Sequence, residues 1–191
     1  ILDRCLEGVK CLQVTFNQKV GSYNATKYLL EQGHRKIACI TGPLAIQTAN
    51  LRFEGYKQAM KEFGAPIKPE YIKTGNFHFE SGYNSMFELL KTDITACFAL
   101  NDLMALGAMK AINESKLSVP ENISLISYDD TFFMQFATVA LTSVRQNTAE
   151  LASVTTKIIL DRLNNGSDLT PSTVEILPEL VIRNSVKALT D

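Results

Sequence analysis

Apolar, strand-like runs alternate with amphipathic helical segments along almost the whole chain, and this alternation restricts the fold more than any other feature. Repeated strand–helix units require a mostly parallel sheet with right-handed crossovers. The sequence therefore predicts an α/β protein with a doubly wound parallel sheet. The predicted strands are 12–16, 36–41, 71–74, 96–100, 123–126, 141–144, 174–177 and 179–182, and the predicted helices are 18–32, 49–63, 80–90, 103–115 and 150–163.

Bulk composition bounds the class of partner. The 191 residues suffice for one or two domains, and 46% of them are hydrophobic. There are 19 basic and 20 acidic residues, a net charge of −1, so no basic surplus is available to grip a phosphate backbone. No apolar run approaches 18 residues and no signal-peptide pattern opens the chain. We expect a soluble protein that does not hold nucleic acid through this chain alone.

Cysteine placement favours an intracellular location. Cys39 and Cys97 lie inside apolar strand-like runs, where a free thiol packs as a small core residue. No C-x-x-C pair is present, so zinc ribbons and thioredoxin chemistry are unsupported. Reduced, buried thiols are typical of cytosolic proteins.

Polar residues follow two strand-like runs directly. Asn101 and Asp102 come after the run 96–100, and Asp129 and Asp130 follow the run that begins at 123. Ligands of open parallel sheets bind outside the carboxyl ends of the strands, which favours a small-molecule site here. The alternative is that these residues cap the turns and helices that follow. We expect capping at Asp102 and Asp130 and ligand binding at Asn101 and Asp129.

Other strand-end segments supply complementary groups. Arg52 lies near the start of the helix after the second strand, and Phe77 lies in the loop after the third. Their alternative roles are a solvated helix residue and a core ring. Together with Asn17 they would offer amide, guanidinium and aromatic groups, which suit a polyhydroxylated ligand.

Catalytic chemistry is poorly supported. There is no G-x-S-x-G elbow and no glycine-rich phosphate fingerprint, and only His34 and His78 could serve as imidazole bases. His34 follows Gly33, a residue expected to end a helix, so a surface or cap role is favoured, whereas His78 could line a cleft. No metal ligands cluster at recognisable spacing. We expect neither enzymatic activity nor a cofactor or metal.

Several ordered motifs together resemble the effector-binding core of the lac repressor/galactose repressor (LacI/GalR) family of bacterial transcription regulators. The resemblance covers residues 3–185. The motifs are GHRKIA at 33–38, GP at 42–43, RFEGY at 52–56, NDLMALGA at 101–108, VPENIS at 119–124, YDD at 128–130, LTSVRQ at 141–146 and LPELVIRNS at 177–185. The chain departs from many family members at Asn17-Gln18 and at Ser127.

The resemblance implies a periplasmic-binding-protein-like (type I) core of two lobes with an effector in the cleft between them. It implies that residues 1–16 end the N-terminal lobe, that 17–145 form the C-terminal lobe, and that 146–175 return to the first lobe before 176–191 close the second. An N-terminal helix-turn-helix headpiece and most of the first lobe would be absent. The effector-binding residues carried over from the family are Asp3, Phe16, Arg52, Phe77, Asn101, Asp129 and Gln146.

The implied function is the effector-binding core of a cytoplasmic DNA-binding regulator, a repressor of a carbohydrate-utilisation operon. Its implied effector is a mono- or disaccharide or a sugar phosphate. Operator DNA would be bound through the missing headpiece, and the protein would be a homodimer with no membrane partner. The alternative is an exported sugar-binding protein of a transporter, which shares the fold; the upstream gene sequence, encoding a headpiece or a signal peptide, would distinguish the two.

Overall fold

Two separate sheets hold the strands, in a computed structural model that describes residues 1–3, 8, 11–165 and 171–189. The predicted alternation of strands and helices is confirmed. The strands are β1 Leu12–Phe16, β2 Ile37–Thr41, β3 Ile72–Thr74, β4 Ala96–Ala99, β5 Ser124–Asp129, β6 Thr142–Arg145, β7 Ser172–Ile176 and β8 Glu179–Val181. The helices are α1 Gln18–Glu31, α2 Gln47–Glu62, α3 Phe79–Leu89, α4 Asp102–Glu114 and α5 Thr148–Asn165, with 3₁₀ turns at Pro69–Tyr71 and Phe132–Phe136.

The larger sheet has the order β3-β2-β4-β5-β6-β8. Its strands are parallel except β8, which runs antiparallel to β6. The chain moves outward from β2 to β3 and then back past β2 to β4 and β5. Because the crossovers are right-handed, this reversal places α2 on one face of the sheet and α3 and α4 on the other. The gap between the carboxyl ends of β2 and β4 is therefore the topological switch point, where ligands of such sheets bind.

The core of the larger sheet is formed by its strands and by helices that approach each other closely. Tyr56, Phe98 and Tyr128 are among its largest fully buried side chains. Helix α2 packs on α1 at Gly55, where a Cβ would lie 2.2 Å from the carbonyl oxygen of Lys19. Glycine is therefore required at this crossing, since any side chain would force the two helices apart.

The smaller sheet contains β1 and β7, paired in parallel with Phe16 opposite Ile176. Its buried apolar cluster is Val14, Phe16 and Ile176, with residues of α5 packed against it. Thus β1 and β7 stand apart from the strands that lie between them in sequence, while β8 rejoins the larger sheet. The assignment of residues 1–16, 17–145, 146–175 and 176–191 to two lobes stays a proposal.

Local chemistry explains where elements begin and end, and corrects some predicted bounds. Helix α1 begins at Asn17, whose side chain accepts a hydrogen bond from the Val20 amide (3.0 Å), and Gly33 follows its end with φ +89°. Strand β5 extends to Asp129, three residues beyond the predicted end, because it pairs with β6 to that point. Tyr71, predicted in a strand, ends a 3₁₀ turn instead.

Cys39 and Cys97 are fully buried, as predicted. Cys5, another of the four cysteines, and Gly166, which is predicted to end the last helix, lie outside the described residues. Within the described ranges, no helix has the length and apolar character that a membrane span requires.

Candidate functional site

The carboxyl ends of β2, β4, β5 and β6 meet along one edge of the larger sheet, and the predicted polar residues collect there. Arg52 reaches this edge from α2, and Asp129 is the last residue of β5. Their side chains meet although 77 positions separate them in sequence. The switch point of the sheet thus carries a guanidinium and a carboxylate.

Arg52 is buried and held on several sides. Its Nε donates to Gln18 Oε1 (2.8 Å), its Nη1 to the Leu100 carbonyl at the end of β4 (2.6 Å), and its Nη2 to Asp129 Oδ1 (3.0 Å). The guanidinium carbon lies 3.7 Å from the centre of the Tyr128 ring, a cation–π contact. The solvated-helix alternative for Arg52 is therefore wrong: its position is fixed before any ligand arrives.

Asp129 is the open member of the pair. Its side chain is 30% exposed, against 8% for Arg52. Burial raises the pKa of Asp129 to about 6, opposed by the charge of Arg52, while the charges of Asp102 and Asp3 raise it further. The carboxylate can therefore accept hydrogen bonds from a ligand on its exposed side, while Arg52 bonds to it on its buried side.

Sequence reasoning missed the two side chains that support Arg52, Gln18 and Tyr128. Tyr128 is fully buried, its hydroxyl pointing to the Gln18 carbonyl oxygen (3.4 Å), and desolvation raises its pKa. The only signal for either was proximity to a strand end. An aromatic residue directly before Asp129 and an amide directly after Asn17 are compatible with core packing and with a helix start.

Phe77 lies over the end of β2. A Cβ on Gly42 would sit 2.1 Å from the ring, so Gly42 leaves the space that the ring occupies. Phe77 has φ +68°, an unfavourable conformation for a non-glycine residue, and its carbonyl accepts a hydrogen bond from Asn101 Nδ2 (2.9 Å). Its ring is half-buried, which combines the two predicted roles of core packing and apolar wall.

Asn101 is a helix cap, contrary to the expectation that capping would fall to Asp102. Its Oδ1 accepts from the Met104 amide (3.0 Å), and its Nδ2 is engaged by Phe77. The side chain is buried. Asn101 thus fixes the Phe77 loop to α4, and any contact with a ligand would be made with the amide already bonded on both sides.

Asp102 and Asp130 do not cap helices; of the two expected roles, helix cap and turn cap, they come nearer to the second. Asp102 accepts from both the amide (2.7 Å) and the hydroxyl (2.6 Å) of Thr131, and burial raises its pKa. Asp130, 2% exposed, accepts from Arg145 Nε (2.7 Å) and lies 2.7 Å from Arg183 Nη1, an ion pair whose geometry falls short of a hydrogen bond. Both carboxylates anchor the segment that follows β5.

The remaining predicted residues lie around this pair. Gln146 follows β6, and its backbone N–H donates to the Asp129 carbonyl (3.4 Å). The buried side-chain Nε2 of Gln146 has no hydrogen-bond partner among the described residues. Asp3 has φ +52° and its charge acts on Asp129. Phe16 is buried in the smaller sheet and lines a groove of about 260 Å³ that also includes Asn17 and residues 47, 48 and 51 of α2.

The histidines play no part in this site. His34 is fully buried, contrary to the expected surface or cap role, and its ring nitrogens contact Thr95 Oγ1 (2.9 Å) and the Lys187 carbonyl (3.1 Å). His78 is exposed at the N-cap position of α3. Among the residues that the structure describes, no three histidine, cysteine, aspartate or glutamate side chains group as metal ligands.

Comparison with known proteins agrees with this geometry. Residues 26–186 match the family model of the periplasmic binding protein-like domain. The HTH-type transcriptional repressor PurR of Pasteurella multocida is 42% identical over 170 residues, which are 88% of this chain and 51% of that protein. This chain therefore spans about half the length of that curated relative.

Solved structures show the same likeness. The transcriptional regulator CelR, solved as a complex with cellobiose, superposes with a TM-score of 0.87 at 30% identity, over 96% of this chain and 57% of that one. The lac repressor dimer bound to operator and the anti-inducer ONPF superposes with a TM-score of 0.85 at 29% identity, over 98% of this chain and 64% of that one.

Proposed function

The chain belongs to the LacI/GalR family of transcription regulators, and we propose that it is the effector-binding core of a repressor that responds to a sugar. The observation that carries the sugar assignment is the Arg52–Asp129 pair, a buried guanidinium bonded to a partly open carboxylate. Such a carboxylate still has lone pairs that can accept hydrogen bonds from adjacent sugar hydroxyls, each of which has one proton to donate.

An apolar surface beside the pair supports the same effector class. The half-buried ring of Phe77, seated over Gly42, offers a flat face of the kind that packs on the C–H side of a sugar ring. Phe16 would form the opposite apolar wall, and Asn101, Gln146 and Asp3 would complete the polar contacts. The cellobiose in the CelR structure belongs to a protein of this fold, which adds support for a saccharide.

The effector would act by favouring one arrangement of two lobes over another. Residues 17–145 and 176–191 would form one lobe, and residues 1–16 and 146–175 would belong to the other. A ligand shifts such an equilibrium only by its differential affinity for the two states, typically about 1–3 kcal/mol of coupling. No bond of the effector would be made or broken, so the protein would not act as an enzyme.

In the whole protein, a helix-turn-helix headpiece outside this chain would hold operator DNA. A homodimer would set two headpieces on two half-sites, and the regulated genes would serve carbohydrate use in the cytoplasm. The relative named as an HTH-type repressor and the operator-bound lac repressor dimer support this arrangement.

The experiment is isothermal titration calorimetry with a panel of sugars: cellobiose, lactose, maltose, glucose, galactose and glucose 6-phosphate. We expect at least one to bind the wild type, and Arg52→Ala to weaken binding by about tenfold to a hundredfold, because a charge-assisted hydrogen-bond network is lost. Arg52→Lys retains a charge beside Asp129 but not the planar donor set, so its affinity should fall by less.

Arg35→Ala is the matched control. Arg35 also donates to backbone carbonyls, those of Leu30 and His34, but it precedes β2 at the opposite end of the sheet. Its loss should leave the affinity for sugar unchanged. Equal affinity of the wild type and Arg52→Ala would exclude the Arg52–Asp129 pair as the binding site, and failure of the whole panel would exclude the sugar assignment.

A further inference from the structure

The Tyr128–Asp129 pair contacts Arg52 in a way that a regular strand does not allow. Successive side chains of a strand point to opposite faces of the sheet. Tyr128 points to the face covered by α1, where its hydroxyl lies 3.4 Å from the Gln18 carbonyl oxygen and its ring lies beneath Arg52. Asp129 would then face away from Arg52, yet its Oδ1 lies 3.0 Å from the Arg52 guanidinium.

The backbone at the end of β5 accounts for this. Asp129 has φ +103° and Asp130 has φ +54°, two consecutive non-glycine residues in conformations that L-residues rarely adopt. The turn that these angles produce brings the Asp129 carboxylate back to the side of Arg52. Such conformations persist only where surrounding contacts hold them.

Two carboxylates supply those contacts, at Asp130 itself and at Thr131, the residue that follows it. Asp130 is held between Arg145 of β6 and Arg183, which follows β8, and Arg183 Nη1 is itself fixed by the Leu141 carbonyl (2.6 Å). Asp102, at the start of α4, accepts two hydrogen bonds from Thr131. The residue after Asp129 and the residue after that are therefore both anchored, to β6, β8 and α4.

We propose that Asp130 and Asp102 are positioning residues, whose anchoring of the segment after β5 forces Asp129 into the conformation that aims its carboxylate at Arg52 and the ligand. This rests on the proposed function for the ligand, but its geometric part does not. Asp130 would contact no ligand, because its two arginine partners hold it away from the site and its side chain is only 2% exposed. Its effect on binding passes entirely through Asp129.

The first test uses Asp130→Gly. Glycine tolerates positive φ but lacks the anchoring carboxylate, so it separates backbone tolerance from anchoring. We expect the affinity for the tightest-binding sugar of the panel to fall about tenfold, since one charge-assisted contact to the ligand is misdirected. Asp130→Asn retains the shape and one acceptor and should have a smaller effect; it also serves if the glycine variant does not fold.

A double-mutant cycle distinguishes positioning from general destabilisation. In an Asp129→Ala background, Asp130→Gly should cause no further loss of affinity, because the group that it positions is gone. The same fold-loss in both backgrounds would overturn the proposal. Asp93→Gly is the control, since Asp93 pairs with Lys36 at the opposite end of the sheet and its loss should leave affinity unchanged.

Crystal structures of unliganded wild type and Asp130→Gly provide a readout that needs no sugar. We expect Asp129 to leave positive φ in the variant and its contact with Arg52 to break. An unchanged φ and an intact contact would overturn the positioning role even if affinity fell. Should no sugar bind the wild type, the proposed effector class fails, and the two crystal structures alone decide whether Asp130 positions Asp129.

Discussion

The six-stranded and two-stranded sheets differ in how much apolar surface each one buries. The core of the larger sheet contains many fully buried aromatic and aliphatic side chains, among them Tyr56 of α2 and Phe98 and Tyr128 of the strands. Within the described ranges, the buried cluster of the smaller sheet consists of Val14, Phe16 and Ile176. Most stabilisation in a folded domain comes from burial of this kind, so the larger sheet holds most of the stability of the chain.

This difference explains where the charged site lies. A buried arginine and two consecutive residues with positive φ, Asp129 and Asp130, all cost folding free energy. Among the residues that the structure describes, only those around the larger sheet bury enough apolar surface to offset these costs. The smaller sheet contributes Phe16 and the rim of a groove, which require no buried charge.

The comparison of the two sheets predicts the largest loss of stability for a substitution at Phe98. Phe98→Ala should lower the free energy of unfolding by about 3–5 kcal/mol, because it leaves a large cavity in a fully buried central strand. Urea denaturation followed by circular dichroism measures this. Phe132→Ala is the control, since Phe132 is 77% exposed and its truncation should change stability by less than about 0.5 kcal/mol. Similar losses in the two variants would contradict the proposed role of the larger core.

Removing the charge of Asp129 should stabilise the protein. Because burial raises the pKa of Asp129 to about 6 in the folded state, the stability contributed by its neutral form is lost as pH rises through that value. Asp129→Asn avoids this loss. At pH 8 we therefore expect its free energy of unfolding to be about 1–3 kcal/mol larger than that of the wild type. At pH 4 the two should differ little.

Denaturation at both pH values measures the effect, and calorimetry of the same variant should show weakened sugar binding. Greater stability with poorer binding would mark Asp129 as a residue kept for function at a cost in stability. A variant less stable than wild type at pH 8 would mean that the bond to Arg52 outweighs desolvation of the carboxylate.

The smaller sheet should unfold locally, without unfolding of the larger sheet. Val14→Ala removes two buried methyl groups, about 1–2 kcal/mol of transfer free energy, from the sheet that β1 and β7 form. Hydrogen exchange read by mass spectrometry should quicken in β1 and β7 and stay unchanged in β2, β4 and β5. Val144→Ala, the same change in the larger core, should quicken exchange across β5 and β6. Equal spread from both variants would show that the two sheets unfold as one unit.

The alternation of elements was predictable because it is encoded locally. Hydrophobic periodicity and helix-ending glycines such as Gly33 mark helices and strands without reference to distant residues. The end of β5 was not predictable in the same way. Ser127 interrupts its apolar run, and only pairing with β6, through Asp129 and Arg145, reveals that the strand continues.

The site was predictable as a location and as a set of residue types, but not as a set of contacts. Position at the strand ends indicated Asn101, Asp129, Arg52 and Phe77, and the resemblance to a family added Asp3, Phe16 and Gln146. Whether Asn101 or Asp102 caps α4 depends on the exact residue at which the helix starts, and both residue types are common caps, so the sequence does not decide between them. The bond from Arg52 to Asp129 and the arginines that hold Asp130 join segments far apart in sequence, so spacing carries no trace of them.

The smallest effect we predict concerns His34, which fixes the larger sheet to the last described segment through the Lys187 carbonyl. Burial lowers the pKa of His34, so the folded state favours the neutral ring more than the unfolded chain does, and stability is lost as pH falls below the ordinary value of 6.5. His34→Gln retains a donor for that carbonyl but does not titrate. The stability of wild type relative to this variant should therefore decline from pH 7 to pH 5, as measured by urea denaturation at each pH. All other ionisable groups are common to both proteins, so their contributions cancel in the difference between the two free energies of unfolding. If that difference does not change with pH, the His34 ring gains its proton as readily in the core as in water.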